Sequence, residues 1–237
     1  MIDIHAHILP GVDDGAESFD DSVGIIKDLV AVGVTDVIAT PHFMNETNFI
    51  SPKSNNQDLV NQLKKRLEAE GINIGVYLGN EVYIDKNILS LLSEDKITSL
   101  AESQYILVEL PLNDEFDDYE DILLELMQSG HTVILAHPER YAIIQKDFEI
   151  ARILHDEGIL FQCNLASITG KYGHEAKKVL QKLMKEKMIF AFGSDIHRPG
   201  RLEFWGPAMK KLSKYYNERE MSQILSINPE RIIRKLM

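Results

Sequence analysis

Residues 1–33 read MIDIHAHILPGVDDGAESFDDSVGIIKDLVAVG. An apolar, β-branched run is followed by a Pro10-Gly11 turn, and then by a segment in which Val23, Ile26 and Val30 fall near one helical face. Ser18 is placed to cap that helix and Gly33 to stop it. The stretch is therefore a strand–turn–helix unit. At the end of its strand and in the turn before its helix it crowds His5, His7, Asp13 and Asp14.

The same unit recurs along the chain. Short Val- and Ile-rich runs stand at IDIH (2–5), DVIAT (36–40), INIGVYLG (72–79), YILVEL (105–110), TVILA (132–136), LFQCNL (160–165) and IFAFG (189–193), with amphipathic segments between them. Runs apolar on both faces predict parallel strands covered by helices. Seven such units predict an α/β fold, a TIM-like (β/α)7 barrel, with an open doubly wound sheet as the competing architecture. No Pro/Gly/Ser-rich linker or repeat divides the chain, so residues 1–237 read as a single domain.

Composition narrows the function. The 237 residues are 44% hydrophobic and 26% charged, with a formal net charge of −12. That charge disfavours nucleic acid, whose binding needs clustered Lys and Arg. No apolar run reaches the roughly 18 residues of a membrane span. The expectation is a cytoplasmic protein that is not embedded in a membrane. The single cysteine, Cys163, has no intramolecular partner for a disulfide.

Ligand-type residues gather where the predicted strands end. His5 and His7 close the first run, His42 follows the second, Glu81 the third and Glu109 the fourth. His137 follows the fifth, and Asp195 and His197 the seventh. In α/β folds the C-terminal strand ends are where sites are built. Taken singly, His42 or His137 would be an ordinary hydrogen-bonded histidine, and Glu81 or Glu109 could be neutralised by a salt bridge to Arg140. Taken together they predict a multinuclear metal site, to which Asp13 or Asp14 adds a ligand. Imidazole and carboxylate without thiolate fit Mn, Fe or Zn, and so many ligands call for two or three ions.

HAH near the start, IATPHF, GNEVYI, ILVELP, LAHPERY and FGSDIHRPG together resemble the PHP superfamily of polymerase- and histidinol-phosphatase-type domains. Within it they resemble the manganese-dependent protein-tyrosine phosphatases of bacterial capsule and exopolysaccharide synthesis. The resemblance runs from Met1 to about Arg201. It implies a distorted (β/α)7 barrel of PHP fold with a trinuclear site. His5, His7 and Asp195 would hold one ion, and Glu81 would bridge to a second held by Glu109 and His137. Asp14, His42 and His197 would hold the third. Arg140 and Arg201 would contact the phosphate, with Arg198 a nearby competitor for the second role.

The implied substrate is a phosphotyrosine-bearing protein, a bacterial tyrosine kinase that governs polysaccharide export. The alternatives are a histidinol-phosphate phosphatase and another PHP phosphoesterase, and an oligomer is compatible with either. Cys163 does not read as a phosphatase nucleophile, because the cysteine-dependent enzymes need Arg six positions later and Thr169 stands there. The acidic stretch NDEFDDYED (113–121) reads as a solvated helix start. MSQILSINPERIIRKLM (221–237) reads as a terminal helix broken at Asn228-Pro229.

Overall fold

The computed structural model describes residues 1–45, 47–113 and 119–234. Among them lie nine strands: β1 (Ile2–Ala6), β2 (Asp36–Ala39), β3 (His42–Phe43), β4 (Gly75–Leu78), β5 (Glu81–Tyr83), β6 (Tyr105–Glu109), β7 (Thr132–Ala136), β8 (Leu160–Asn164) and β9 (Ile189–Gly193). All pair in parallel, in the orders β1-β2-β4 and β3-β5-β6-β7-β8-β9. The seven predicted runs are all present, and two of them resume after a break. Thr40-Pro41 interrupts the second, where proline has no N–H to give a ladder, and Gly79-Asn80 interrupts the third. β3 and β5 are the continuations, and they carry His42 and Glu81.

The ring joins where β1 meets the segment after β9. His7 N donates to Ile196 O at 3.0 Å and Asp195 N to His5 O at 2.9 Å, with a parallel bridge between Ala6 and Ile196. First and last strands would not be neighbours in a doubly wound sheet. The architecture is the distorted seven-position barrel.

Two apolar layers follow from strand alternation. Ile2, Ile4, Ile38, Leu107, Ile134 and Ala191 meet inside the ring, and Ile232 of the helix Asn228–Ile233 packs with them. Val37, Val76, Val108, Val133 and Phe161 face outward, where Leu29, Leu63, Leu126 and Leu183 of the surrounding helices cover them. Alternation carries the inner face upward from Leu107 to Glu109 and from Leu160 to Gln162. β1 needs a correction to do the same. Its register with β2 slips between Asp3 and Ala6, so Ala6 joins the outer layer while Ile2 and Ile4 are inner. The slip thereby turns His5 and His7 inward, as a bulge re-aims side chains.

In the helix Phe19–Ala31, Ser18 accepts from Asp21 N and Gly33 has φ +91°, as expected. Its buried face is Val23, Ile25, Ile26 and Leu29, whereas Val30 is exposed. The expected break at Asn228-Pro229 does not occur. A π-helical turn over Gln223–Ile227 leads directly into Asn228–Ile233, placing Pro229 in a first turn, where no N–H is needed. The core of the predicted acidic helix start, residues 114–118, lies outside the described residues. No described helix is long and apolar enough to cross a membrane.

Candidate metal centre

Above the inner apolar layer the ring carries polar side chains. Glu81 is fully buried and central: its Oε2 lies 3.0 Å from His5 Nε2, 3.2 Å from His7 Nε2 and 3.1 Å from His42 Nδ1. Its Oε1 accepts from His137 Nε2 at 2.9 Å. Glu109 stands behind, 3.5 Å from His137 Nε2 and 3.6 Å from His42 Nδ1. Asp195 Oδ1 lies 3.6 Å from His5 Nε2, 3.5 Å from His7 Nε2 and 3.6 Å from His197 Nδ1. Asp14 completes the outer side, 3.7 Å from His42 Nε2 and 3.4 Å from His197 Nε2. All nine predicted ligand positions thus meet in one place.

Backbone strain helps aim two of them. His137 and Asp195 both have left-handed backbones, φ +34° and +51°. Non-glycine residues rarely adopt that conformation, and where they do they concentrate at functional sites.

The supporting shell fixes which ring nitrogens are free. His5 Nδ1 donates to Gln162 Oε1 at 2.7 Å, and His7 Nδ1 donates to Asp13 Oδ2 at 2.8 Å. Asp13 also accepts from His42 N at 3.0 Å, so of the two turn aspartates it is Asp14 that faces the open side. Asn164 Nδ2 donates to Asp195 Oδ2 at 2.6 Å. Gln162 and Asn164 come from β8, the one predicted strand without a ligand, and nothing in the sequence reading singled them out. Their spacing, i and i+2 on the face opposite Cys163, was the available signal.

This arrangement suits cations. With Nδ1 committed on both rings, His5 Nε2 and His7 Nε2 are the nitrogens turned inward, only 3.2 Å apart beside a carboxylate. Glu81 Oε2 and His42 Nδ1 are buried without a properly directed hydrogen bond. Such orphaned acceptors are costly unless a positive charge joins them. Three groups have donor atoms close enough to share an ion: His5/His7/Glu81, His42/Glu81/Glu109 and His7/Asp14/His42/His197.

Protonation in the bare cluster shows the same crowding. Burial disfavours the His5 cation, but Glu81 and Asp195 outweigh it and raise its pKa to about 9. Burial and the neighbouring Glu81 charge push Glu109 up to about 9 as well. Burial likewise opposes the Glu81 carboxylate, yet His5 and His42 hold it well below the usual range. The hydrogen bond from His197 is the main reason that Asp14 falls to about 2.

Arg140 borders the cluster. Its Nη1 donates to Asp195 Oδ2 at 3.1 Å, and its guanidinium lies 4.6 Å from the Tyr172 ring centroid. The salt bridge considered for Glu81 or Glu109 is therefore made by Asp195 instead. Neighbouring Glu139 is buried and accepts from Asn164 N at 2.9 Å and Ser167 Oγ at 2.6 Å, tying the Arg140 turn to β8. Arg198 is committed elsewhere, to Glu17 at 2.8 Å. Arg201 lines the cavity with no ion-pair partner among the described residues. Cluster and arginines open onto a cavity of about 420 Å³, bordered also by Lys171, Tyr172, Glu203 and Phe204.

Fold and cluster together define a PHP-type barrel with a ligand-rich mouth. The chain belongs to the capsular polysaccharide synthesis CpsB/CapC family, whose model matches residues 1–234. The tyrosine-protein phosphatase YwqE of Bacillus subtilis is 31% identical over 99% of this chain and 92% of its own. CapC of Staphylococcus aureus is 30% identical over 93% and 87% respectively. A crystal structure from work on YwqE and CpsB of Streptococcus pneumoniae, described as unique metal-dependent tyrosine phosphatases, superposes with a TM-score of 0.90. It has 29% identity and covers 99% of this chain and 94% of that one.

Proposed function

We propose that residues 1–237 form one catalytic domain, a metal-dependent protein-tyrosine phosphatase that hydrolyses phosphotyrosine on a bacterial tyrosine kinase controlling capsular or exopolysaccharide synthesis in the cytoplasm. The observation that carries this reading is the convergence of five imidazoles and four carboxylates beside Arg140, in a family whose relatives are named tyrosine-protein phosphatases. His5, His7 and Asp195 would hold one ion, Glu81 would bridge to a second at Glu109 and His137, and Asp14, His42 and His197 would hold a third. Manganese is the proposed metal. When bound, such ions lower the pKa of water and neutralise charge on phosphoryl oxygens.

The chain's own residues supply orientation. Gln162 and Asp13 fix the His5 and His7 tautomers with Nε2 inward. Arg140, steadied by Asp195 and Tyr172, presents a planar fork to the phosphoryl oxygens, and Arg201 approaches from the rim. A phenolate leaving group, with a reference pKa of ~10, needs less protonation than an alkoxide.

The test is hydrolysis of a phosphotyrosyl peptide by metal-stripped protein with Mn, Zn, Mg or no metal restored, histidinol phosphate being run in parallel. Restoration on the peptide by Mn is the expected result. Turnover confined to histidinol phosphate would move the chain to the alternative branch, and unchanged activity after stripping would sink the metal assignment.

A further inference from the structure

Beyond the phosphate subsite, the cavity rim holds a cation that the proposed chemistry does not use. We infer that Lys171 forms a second anion subsite, which binds an acidic side chain one or two positions from the phosphotyrosine and so makes acidic-flanked peptides the preferred substrates. This inference rests on the tyrosine-phosphatase reading and adds a sequence preference to it.

Four cations line the mouth of a chain whose net charge is −12: Arg140, Lys171, Arg198 and Arg201. Arg140 is bound to Asp195 at the edge of the cluster, and Arg201 is its proposed companion on phosphate. Arg198 is neutralised by Glu17. Lys171 alone has neither an acidic partner among the described residues nor a role in the reaction. Glu203 borders the same cavity and moderates its potential, but makes no ion pair with Lys171.

Aromatic rings hold this lysine in place. Its Nζ lies 5.6 Å from the Tyr172 ring centroid and 5.3 Å from that of Phe204, within range of cation–π attraction. Tyr172 is the ring that also carries Arg140. One side chain thus links the cation proposed for the phosphate to the cation farther out on the rim. An extended peptide advances about 3.3–3.6 Å per residue, so a flanking carboxylate reaches outward on that scale while the phosphotyrosine occupies the cavity. An exposed ammonium at such a rim contributes only modestly to affinity and discriminates by charge.

The test compares metal-loaded wild type and Lys171→Met on p-nitrophenyl phosphate and on two phosphotyrosyl peptides that differ only in Glu or Gln at the two positions on each side. Wild type is expected to favour the Glu peptide about three- to fivefold in kcat/KM, mainly through KM, with the preference shrinking in 0.5 M salt. Lys171→Met should erase that preference and leave p-nitrophenyl phosphate turnover unchanged, while Lys171→Arg should keep it. Equal kcat/KM for the two peptides in wild type, or a preference that survives in Lys171→Met, would overturn the subsite while leaving the phosphatase reading intact. Failure of wild type on both peptides and on p-nitrophenyl phosphate would overturn both.

Discussion

Gly193, on β9, sits where no side chain fits. A methyl group there would come within 2.8 Å of both His5 Cβ and Gln162 Nε2, where ordinary contact begins at 3.4 Å. Gly193→Ala therefore demands a retreat of about half an ångström from neighbours in a close-packed interior. Neither neighbour retreats freely, because His5 Nδ1 and Gln162 Oε1 are bonded to each other at 2.7 Å. Overpacking of this kind costs about 1–3 kcal/mol, or roughly 2–12 °C in Tm for a chain of this length. Misplacing His5 should also weaken metal retention about 10–100-fold, the range typical when a group that holds a ligand in place is disturbed. Thermal melts of metal-free protein and chelator competition on loaded protein would read the two effects separately. Gly206→Ala is the control, since a Cβ there meets nothing within 4 Å and the residue lies in the helix Trp205–Leu212. A Gly193→Ala protein with wild-type Tm and wild-type metal retention would refute the reasoning, because β9 would then not set the position of His5.

Three further outcomes are expected. Gln162→Leu frees His5 Nδ1 from its side-chain acceptor and should lower metal affinity about 10–100-fold with little change in saturated turnover; chelator competition measures it, and unchanged affinity would contradict the tautomer argument. Metal loading at pH 7 should release protons, because in the bare cluster His5 and Glu109 both have pKa values raised to about 9 and must lose those protons to act as ligands. Affinity should accordingly climb as pH rises from 6 to 9, and loading of weakly buffered protein without acidification would argue against it. Cys163 is fully buried, and burial pushes its thiol well above the ordinary value; iodoacetamide should therefore leave native protein unmodified and active by mass spectrometry and assay, whereas inactivation would reopen a thiol role.

The ligands were legible because each is a metal-type residue at the end of an apolar run, a coincidence that the barrel turns into a single mouth. The supporting residues were not. Gln162 and Asn164 look like the polar half of a solvated strand, and only closure of the ring against His5 and Asp195 shows that both are buried. The inward turn of His5 depends on a register slip with β2, which is a property of the pair of strands rather than of IDIH itself. Proline signalled a break at 229, but the π-helical turn before it had already removed the need for its N–H. Val30 obeys the helical period and is still exposed, because the barrel covers only the stripe through Val23, Ile26 and Leu29.

The seam between β1 and β9 has a consequence for how the chain is made. Asp3 Oδ1 accepts from His5 N and from Ser194 N, a bond spanning 191 positions, and His7 N reaches Ile196 O beside it. A growing chain must emerge past its last strand, to Ile196, before that seam can form. Until then one edge of β1 lies bare and open to mispairing, the hazard that slows folds dominated by distant contacts. His5 and His7 are translated first among the ligands and Asp195 and His197 last, so the nascent chain on the ribosome holds only fragments of the cluster.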